Sequence, residues 1–368
     1  MPINRSEVSP SLDRKPFFHM AAPVVLSVLA WAPPALPCGE AGSPGRLLTR
    51  ARLLMGTVFR FEAPVGQDPG TSAEALESAL DEVDRLEGVL SNWREGSELS
   101  RLNRGAGSSA VPVSRDLFDA VREALHWAEE TGGAFDPTVE PLTRKFRAGG
   151  DGRPRIGRTA ALPGGWREVQ IDPEARTIRF GPGVEGLDLG GIGKGFALDR
   201  AAVILRSRGV SSFLLDAGGQ VLAAGRPPGE EGWLIGVVEP SRRERPSLSL
   251  LLRDASAATS GNSQRAGEIL DPSTGLPVAG AGSATAVAPD ATSADALSTA
   301  LFVLGPERGT AWARNRKDAI ALFLLPGKDS GASPSLRSTL AESPGKGETI
   351  VISSTVQASG RIVNASIR

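Results

Sequence analysis

The chain is 368 residues long with a net charge of −1, 41 basic side chains standing against 42 acidic ones. That balance leaves no electrostatic footprint for a nucleic acid, and the length allows one large domain or two modest ones with a real core. Cys38 is the single cysteine, which excludes a disulfide within one chain and leaves packing to hold the fold.

Arg5, Arg14 and Lys15 precede an apolar run, Met20 to Leu36, broken by Pro23, Pro33 and Pro34. The run is too short and interrupted for a spanning helix and fits the apolar region of a secretory leader. Cys38 directly follows it, in ALPCG, which suggests a lipid-modified cysteine at a bacterial signal-peptide boundary. Residues 1–38 are therefore expected to be a leader and 39–46 a tether. The folded part is expected over 47–368, exported to the periplasmic face of a bacterial membrane and lipid-anchored there, or else soluble in the periplasm.

Residues 47 to 65 have strand character with a bend at Met55-Gly56-Thr57. Thr71 and Glu74 predict a capping box for a helix carrying Leu76, Leu80, Val83, Leu86 and Leu90 on one face. A polar segment, SNWREGSELSRLN (91 to 103), offers one aromatic, Trp93, either a plug under a loop or a stacking surface for a flat ring. Ser114 is placed to cap a second amphipathic helix ending at Gly132-Gly133, with His126 near its apolar face as a core or edge histidine. Asp136-Pro137-Thr138 predicts a turn. Residues 147 to 165 read as a surface loop, and EVQIDPEARTIRF as a strand pair turning at Asp172-Pro173.

The stretch from Leu187 to Gly219 is organised around a glycine-crowded turn. Gly190, Gly191, Gly193 and Gly195 surround one cation, Lys194. Free N–H groups in such a turn can cradle an anion, yet a tight strand-to-helix turn with no ligand reads the same way. The spacing matches neither the G-x-G-x-x-G fingerprint nor the Gly-Lys-Ser/Thr of a P-loop. A helix is predicted over Phe196 to Ser207, then a core strand at 211 to 215 and a second turn at Asp216, Gly218 and Gly219.

Strands are expected at 233 to 240, 248 to 261, 284 to 290, 319 to 326 and 348 to 357. A stiffened loop, EILDPSTGLPV, spans 268 to 278, and a Gly/Ser/Pro loop of disordered character separates the last two strands. The helix TSADALSTALFVLG is expected to be capped at Thr292 or Ser293. Its Asp295 and Thr299 are four apart and share one face. A carboxylate and a hydroxyl so placed suit a hard cation such as Mg²⁺, although an acid near a helix start is also favoured by the helix dipole alone. No HExxH, no zinc-type Cys/His cluster and no serine–histidine pair for a hydrolase triad is present.

In order, MGT (55 to 57), SNWREGSELSRLN (91 to 103), GGAFDPTVEPL (132 to 142), LDLGGIGKGFALD (187 to 199), LLDAGG (214 to 219), ATSGN (258 to 262), ILDPSTGLPV (269 to 278) and SADALSTALFVLG (293 to 305) make the chain resemble the ApbE family. These are flavin transferases that move FMN from FAD onto a protein threonine or serine. The resemblance covers roughly 47 to 326. It implies a T-fold-related α+β domain, mixed β-sheets flanked by helices, with two lobes and the flavin in the cleft between them. It implies FAD contacts at Met55, Trp93, Ala134, Phe135, Asp136, Asp188, Lys194 and Leu270, and Mg²⁺ at Asp295, Thr299 and the Gly191 carbonyl. The implied partners are FAD and an acceptor protein carrying the Thr or Ser, beyond the membrane reached through Cys38.

One departure stands out. The family's pattern has a histidine just before I-x-D-P-x-T-G, thought to assist deprotonation of the acceptor; here that position is Glu268, after a shortened segment, Asn262 to Gly267. A glutamate has a reference pKa of about 4.3 and is a weak base unless burial raises it. Asp295 and Glu268 are accordingly the catalytic candidates. An FAD-binding lipoprotein without transfer and an Mg²⁺-dependent FAD pyrophosphatase stay open beside the transferase.

Overall fold

The computed structural model describes residues 46–65, 69–105, 107, 109–148, 165–238, 248–261, 267–279, 282–314, 316–325, 335–338, 349–357 and 360–367. The leader and nearly all of the tether, Cys38, most of the 147 to 165 loop and Asn262 to Ala266 lie outside the described residues.

The chain opens with a hairpin, β1 (Leu47–Leu54) and β2 (Thr57–Pro64), paired antiparallel through a turn at Met55 and Gly56. Both turn residues have positive φ, 49° and 75°, the geometry of a two-residue primed turn. Helix α1 (Pro69–Leu90) follows and buries the predicted stripe of Leu76, Leu80, Val83, Leu86 and Leu90. It starts two residues before Thr71, with proline at its first position, so the capping box falls inside the helix. The polar segment after it holds a short helix, α2 (Glu98–Arg104), capped by Ser97.

Next come β3 (Val111–Pro112), α3 (Arg115–Glu130) capped by Ser114 as expected, and α4 (Glu140–Ala148). Strands β4 (Val169–Asp172) and β5 (Thr177–Phe180) form the predicted pair, extended by β3 into a three-stranded sheet. Helix α5 (Gly193–Ser207) begins three residues ahead of Phe196, taking Gly193 and Gly195 into its first turn.

The remaining elements are β6 (Phe213–Asp216), β7 (Gln220–Ala224), β8 (Trp233–Val237), β9 (Leu248–Arg253), β10 (Ala255–Gly261), β11 (Leu270–Asp271), β12 (Leu276–Pro277), β13 (Ser283–Ala288), α6 (Ala291–Ala313), β14 (Ile320–Leu325), β15 (Ser335–Ser338), β16 (Thr349–Gln357) and β17 (Gly360–Ile367). The stretch 248 to 261 is two strands, reversed at Asp254 with φ 51°. EILDPSTGLPV folds as the small β11–β12 hairpin, its turn closed by Asp271 Oδ1, which accepts from Ser273 N–H and Oγ–H. Within the Gly/Ser/Pro loop the described residues form β15, an edge strand on β14. Helix α6 is broken at Gly305, φ 72° and ψ 174°, just before Pro306, so its first arm ends where the sequence placed its end.

Among the described residues eight strands make the main sheet, in the order β1-β2-β6-β7-β10-β13-β14-β15, each neighbouring pair antiparallel. A second sheet, β17-β16-β9-β8, is mixed, with β9 and β16 parallel. One face of the main sheet meets α1, α5 and α6 over a core that includes Phe59, Phe61, Leu80, Phe213, Leu297 and Leu301. Its other face packs Leu214, Val221, Val287 and Leu322 against Trp233, Ile235, Leu250 and Leu252 of the second sheet. Layers of helix, sheet and sheet follow, with β13 and the first four residues of β10, rich in small side chains, buried where both faces of the sheet are covered. Among the described residues no helix is long and apolar enough to cross a membrane.

Candidate functional site

The site forms where the chain between β5 and α5 crosses the N-terminal ends of α5 and α6. Leu187 is gripped from both sides of its peptide. Asn103 Oδ1 accepts from Leu187 N–H (2.9 Å), while Asn103 Nδ2 (2.8 Å) and Asn92 Nδ2 (3.1 Å) donate to its carbonyl. The polar segment 91 to 103 is thus a clamp on the strand-like approach to the glycine turn. Trp93, beside Asn92, remains 68% exposed, so it presents a ring face to solvent.

Asp188 organises the turn itself. Its Oδ1 accepts from Gly190 N–H (2.8 Å), its Oδ2 from Thr143 Oγ–H (2.6 Å), and its own N–H donates to Pro137 O (2.6 Å). The last bond ties the glycine turn to the Ala134-Phe135-Asp136 turn. There Asp136 Oδ1 accepts from Thr138 N–H and Oγ–H, 2.8 and 2.7 Å away. Burial pushes the Asp136 carboxyl up, against those two bonds. A Cβ on Gly191 would sit 3.1 Å from both Phe135 Cε2 and Thr299 Oγ1, so the turn, the buried Phe135 ring and the α6 hydroxyl converge on this glycine.

Asp295 is buried at 4% exposure. Lys194 Nζ lies 3.2 and 3.4 Å from its two carboxylate oxygens, and 3.5 Å from the Gly190 carbonyl. Asp295 Oδ2 also accepts from Gly195 N–H at 3.0 Å. Gly195 is the third residue of α5, whose N-cap residue, Ile192, makes no side-chain cap bond. The carboxylate therefore caps α5 from the neighbouring helix, at the positive end of its dipole. Helix α6 is itself capped by Asp290, whose Oδ1 accepts from Ser293 N–H (2.8 Å), and not by Thr292 or Ser293 as the sequence suggested. Two hydroxyl residues at a helix start mimic a cap, but Thr292 instead donates to Asp199 of α5.

The turn at Met55 adjoins this region through a different pairing. Met55 N–H donates to Glu87 Oε2 (3.0 Å), which also pairs with Arg94 (2.9 Å). Gly218, at φ 69°, has no room for a Cβ because the Thr57 hydroxyl fills its place, so the first hairpin turn sits on the DAGG turn. Asp216 anchors that turn by accepting from Gly218 N–H (2.8 Å). Burial pushes its carboxyl up to about 6, opposed by the Gly218 bond and by Arg60.

The sign of that shift fixes a pH dependence. A carboxyl whose folded pKa exceeds its ordinary 3.8 binds more protons folded than unfolded between those values, so stability falls as pH rises from about 4 to 6 and is level above. At roughly 1.4 kcal/mol per unit, the penalty at neutral pH is at most about 3 kcal/mol. Asp216→Asn, which keeps an acceptor for Gly218, is expected to be more stable than the wild type at pH 8 and to lose that advantage by pH 4. Denaturant titrations at the two pH values measure this, and a pH-independent difference would refute it.

Leu270 is buried at the start of the β11–β12 hairpin, whereas Glu268, two residues earlier, is exposed. His126 is an exposed edge histidine, edge-on to Trp127 at 5.1 Å, in a groove of about 290 Å³ with Trp166 and Arg167. Among the described residues no group of three or more His, Cys, Asp or Glu could hold a metal ion. Any metal here must use other oxygens, and Asp295 and Thr299 supply two hard ones.

A family model described as the ApbE family matches residues 55–324. The chain belongs to the ApbE family. It is 32% identical over 327 residues to the FAD:protein FMN transferase of Treponema pallidum, covering 80% of this chain and 90% of that one. A Klebsiella pneumoniae protein of the same name is 29% identical, over 82% and 93% of the two chains. Among solved structures, the ApbE protein of Thermotoga maritima superposes with a TM-score of 0.69 at 31% identity, over 79% and 97% of the chains. The flavin transferase ApbE of Vibrio cholerae does so at 0.68 and 26%, over 80% and 97%.

For this ApbE chain the structure brings Phe135, Asp188, Gly191, Lys194, Asp295 and Thr299 to one turn, with Ala134 and Asp136 adjoining. Met55 donates to Glu87, the partner of Arg94, and Trp93 precedes Arg94 in the chain; Leu270 opens a separate hairpin, with Glu268 two residues ahead of it. Sequence reasoning gave no role to Asn92, Asn103 or Asp199, whose hydrogen bonds hold the approach and the second helix. All three lie inside quoted motifs, but their partners are far along the chain, and spacing alone carries no signal of them.

Proposed function

We propose that this protein is an FAD:protein FMN transferase that uses Mg²⁺. The observation that carries the reading is the buried Asp295 carboxylate, paired with Lys194 and sharing the glycine turn with Thr299. Its ApbE relatives bear that activity in their names.

The donor set fits a magnesium ion, since a carboxylate and a hydroxyl are hard oxygen ligands, and the carbonyl of Gly191 would complete the protein's share. Bound there, the ion would neutralise pyrophosphate charge as the phosphorus is attacked. The chain's own groups supply the rest. Lys194 is a point charge, partly exposed beside Asp295, and suits a phosphate oxygen once the carboxylate is shared. The exposed Trp93 ring and the partly buried Met55 offer flat apolar surface to an isoalloxazine. The acceptor hydroxyl oxygen bonds to the FMN-side phosphorus, the bond from that phosphorus to the AMP-side oxygen breaks, and AMP departs. Most of the acceleration comes from positioning and charge stabilisation.

Glu268, exposed ahead of the β11–β12 hairpin, is proposed to take the acceptor's proton without the burial that would strengthen a carboxylate as a base. Glu268→Gln is then expected to lower transfer by about 10²-fold, the scale of a general base, with FAD binding unchanged; unchanged rates would remove it from the mechanism. The leader reading, with Cys38 lipidated and the folded part in the periplasm, remains part of this proposal and is tested by mass spectrometry of the membrane-extracted protein.

The deciding experiment incubates the purified chain with FAD, Mg²⁺ and an acceptor domain, and reads in-gel flavin fluorescence against an EDTA control. A metal-dependent fluorescent acceptor band is expected. Bound FAD without a band would favour a flavin-binding protein, and AMP released without acceptor would favour a pyrophosphatase.

A further inference from the structure

Asp199 makes none of the contacts that the proposed chemistry uses, yet it accepts as many hydrogen bonds at the helix junction as Asp295 does. From α5, its Oδ1 accepts from Ala291 N–H (2.9 Å), and its Oδ2 from Thr292 N–H (2.8 Å) and Thr292 Oγ–H (2.5 Å). Those amides belong to the first two residues of α6, which have no partner within the helix. In the other direction, Asp295 of α6 accepts from Gly195 N–H of α5. The two helices therefore cap each other, each with a carboxylate supplied by its neighbour.

The two contacts lie one helical turn apart on both helices and run in opposite senses, Gly195 with Asp295 and Asp199 with Ala291. A single contact leaves two rods free to pivot; a crossed pair one turn apart, about 6 Å, opposes both sliding and rotation. The rods also touch. A Cβ on Gly195 would lie 2.6 Å from the Ala291 carbonyl carbon and 2.9 Å from Asp295 Cβ.

Asp290 takes only the next amide, Ser293 N–H, so two carboxylates crowd together to cover the free N–H groups at the start of α6. A second carboxylate beside the first is electrostatically unfavourable, and burial together with Asp290 pushes Asp199 up to about 6. An arrangement that costs stability locally points to what it holds in place.

We infer that Asp199 is a positioning residue, one that sets the register of α6 against α5 and so places Asp295 and Thr299 over the Gly190–Lys194 turn. The inference rests on the reading of that cluster as the metal and pyrophosphate site.

The test uses the full chain carrying Asp199→Asn, which keeps the side chain's size and one acceptor but turns an amide toward α6. The Mg²⁺ concentration for half-maximal transfer is expected to rise about 10-fold, the scale of an outer-shell change at a metal site, while KM for FAD stays within about twofold. Amide hydrogen exchange gives a readout without metal or substrate. Exchange should quicken at Ala291 and Thr292, and also at Gly195, whose acceptor is carried by the other helix. Quickening confined to Ala291 and Thr292, with Gly195 unchanged, would reduce Asp199 to a local cap and overturn the inference. Thr292→Val, removing only the hydroxyl contact, should move the same readouts less and serves if the first variant does not fold; no effect at Gly195 there overturns the inference equally. Were the wild type to show no Mg²⁺ dependence, the metal reading would fail, and Gly195 exchange would still decide the register.

Discussion

Asp295→Ala is expected to lower Mg²⁺-dependent flavin transfer by on the order of 10³-fold, the scale on which a preorganised charge-stabilising group acts. The effect on folding should be much smaller. Lys194 is partly exposed and regains water when its partner goes, so the main loss is the acceptor of the buried Gly195 N–H, about 1–3 kcal/mol. Thermal melts and transfer rates on the same samples separate the two. Asp295→Asn sharpens the comparison, because its carbonyl can still accept from Gly195 while the charge is gone. Near-native melting with lost transfer is the expected result; ordinary turnover in either variant would sink the assignment.

The second large effect is expected at Gly195. An alanine there gains about 1 kcal/mol of helix propensity. Against that gain, its Cβ would meet backbone atoms of Ala291 and the Asp295 Cβ, none of which is the free end of a flexible side chain. Forcing two packed helices apart costs roughly 1–3 kcal/mol or more, so Gly195→Ala should melt several degrees lower. Transfer should fall by at least 10²-fold, since misplacements of about 1 Å already act on that scale. Gly193→Ala provides the control, because nothing lies within 4 Å of its Cβ position. Equal melting temperatures and rates for the two variants would show that the close approach of the helices does not matter.

The contrast between these two glycines marks where sequence reasoning stops. Both stand in one glycine-rich run, and composition treats them alike; only the neighbour packed against each distinguishes them. The helix start at Gly193 was illegible for the same reason, since tertiary contact overrides the low propensity of glycine. Local chemistry was readable where partners are local: Ser114 at α3, the turn after Asp172, and the end of the first arm of α6 at Gly305. Asp295 and Thr299 could be paired because one helix carries both. Their meeting with Gly191 and Lys194 came from the order of motifs, not from any periodicity. The N-cap of α6 was misplaced because Thr292 and Ser293 mimic a cap just beyond Asp290, whereas its second carboxylate, Asp199, sits 92 residues before the amide it covers.

That long separation bears on how the protein comes into being. Lys194 and Asp295 are 101 positions apart, and the turn at Thr57 must find Gly218 across an even longer span. Closing loops of this size carries an entropic penalty that only later contacts offset, and such topologies assemble slowly. A growing chain that has released its first two hundred residues holds the cation and the glycines but lacks the acid. A product ending before residue 291 would carry most of the motifs yet lack the Asp295 carboxylate that pairs with Lys194 and the Thr299 hydroxyl beside Gly191.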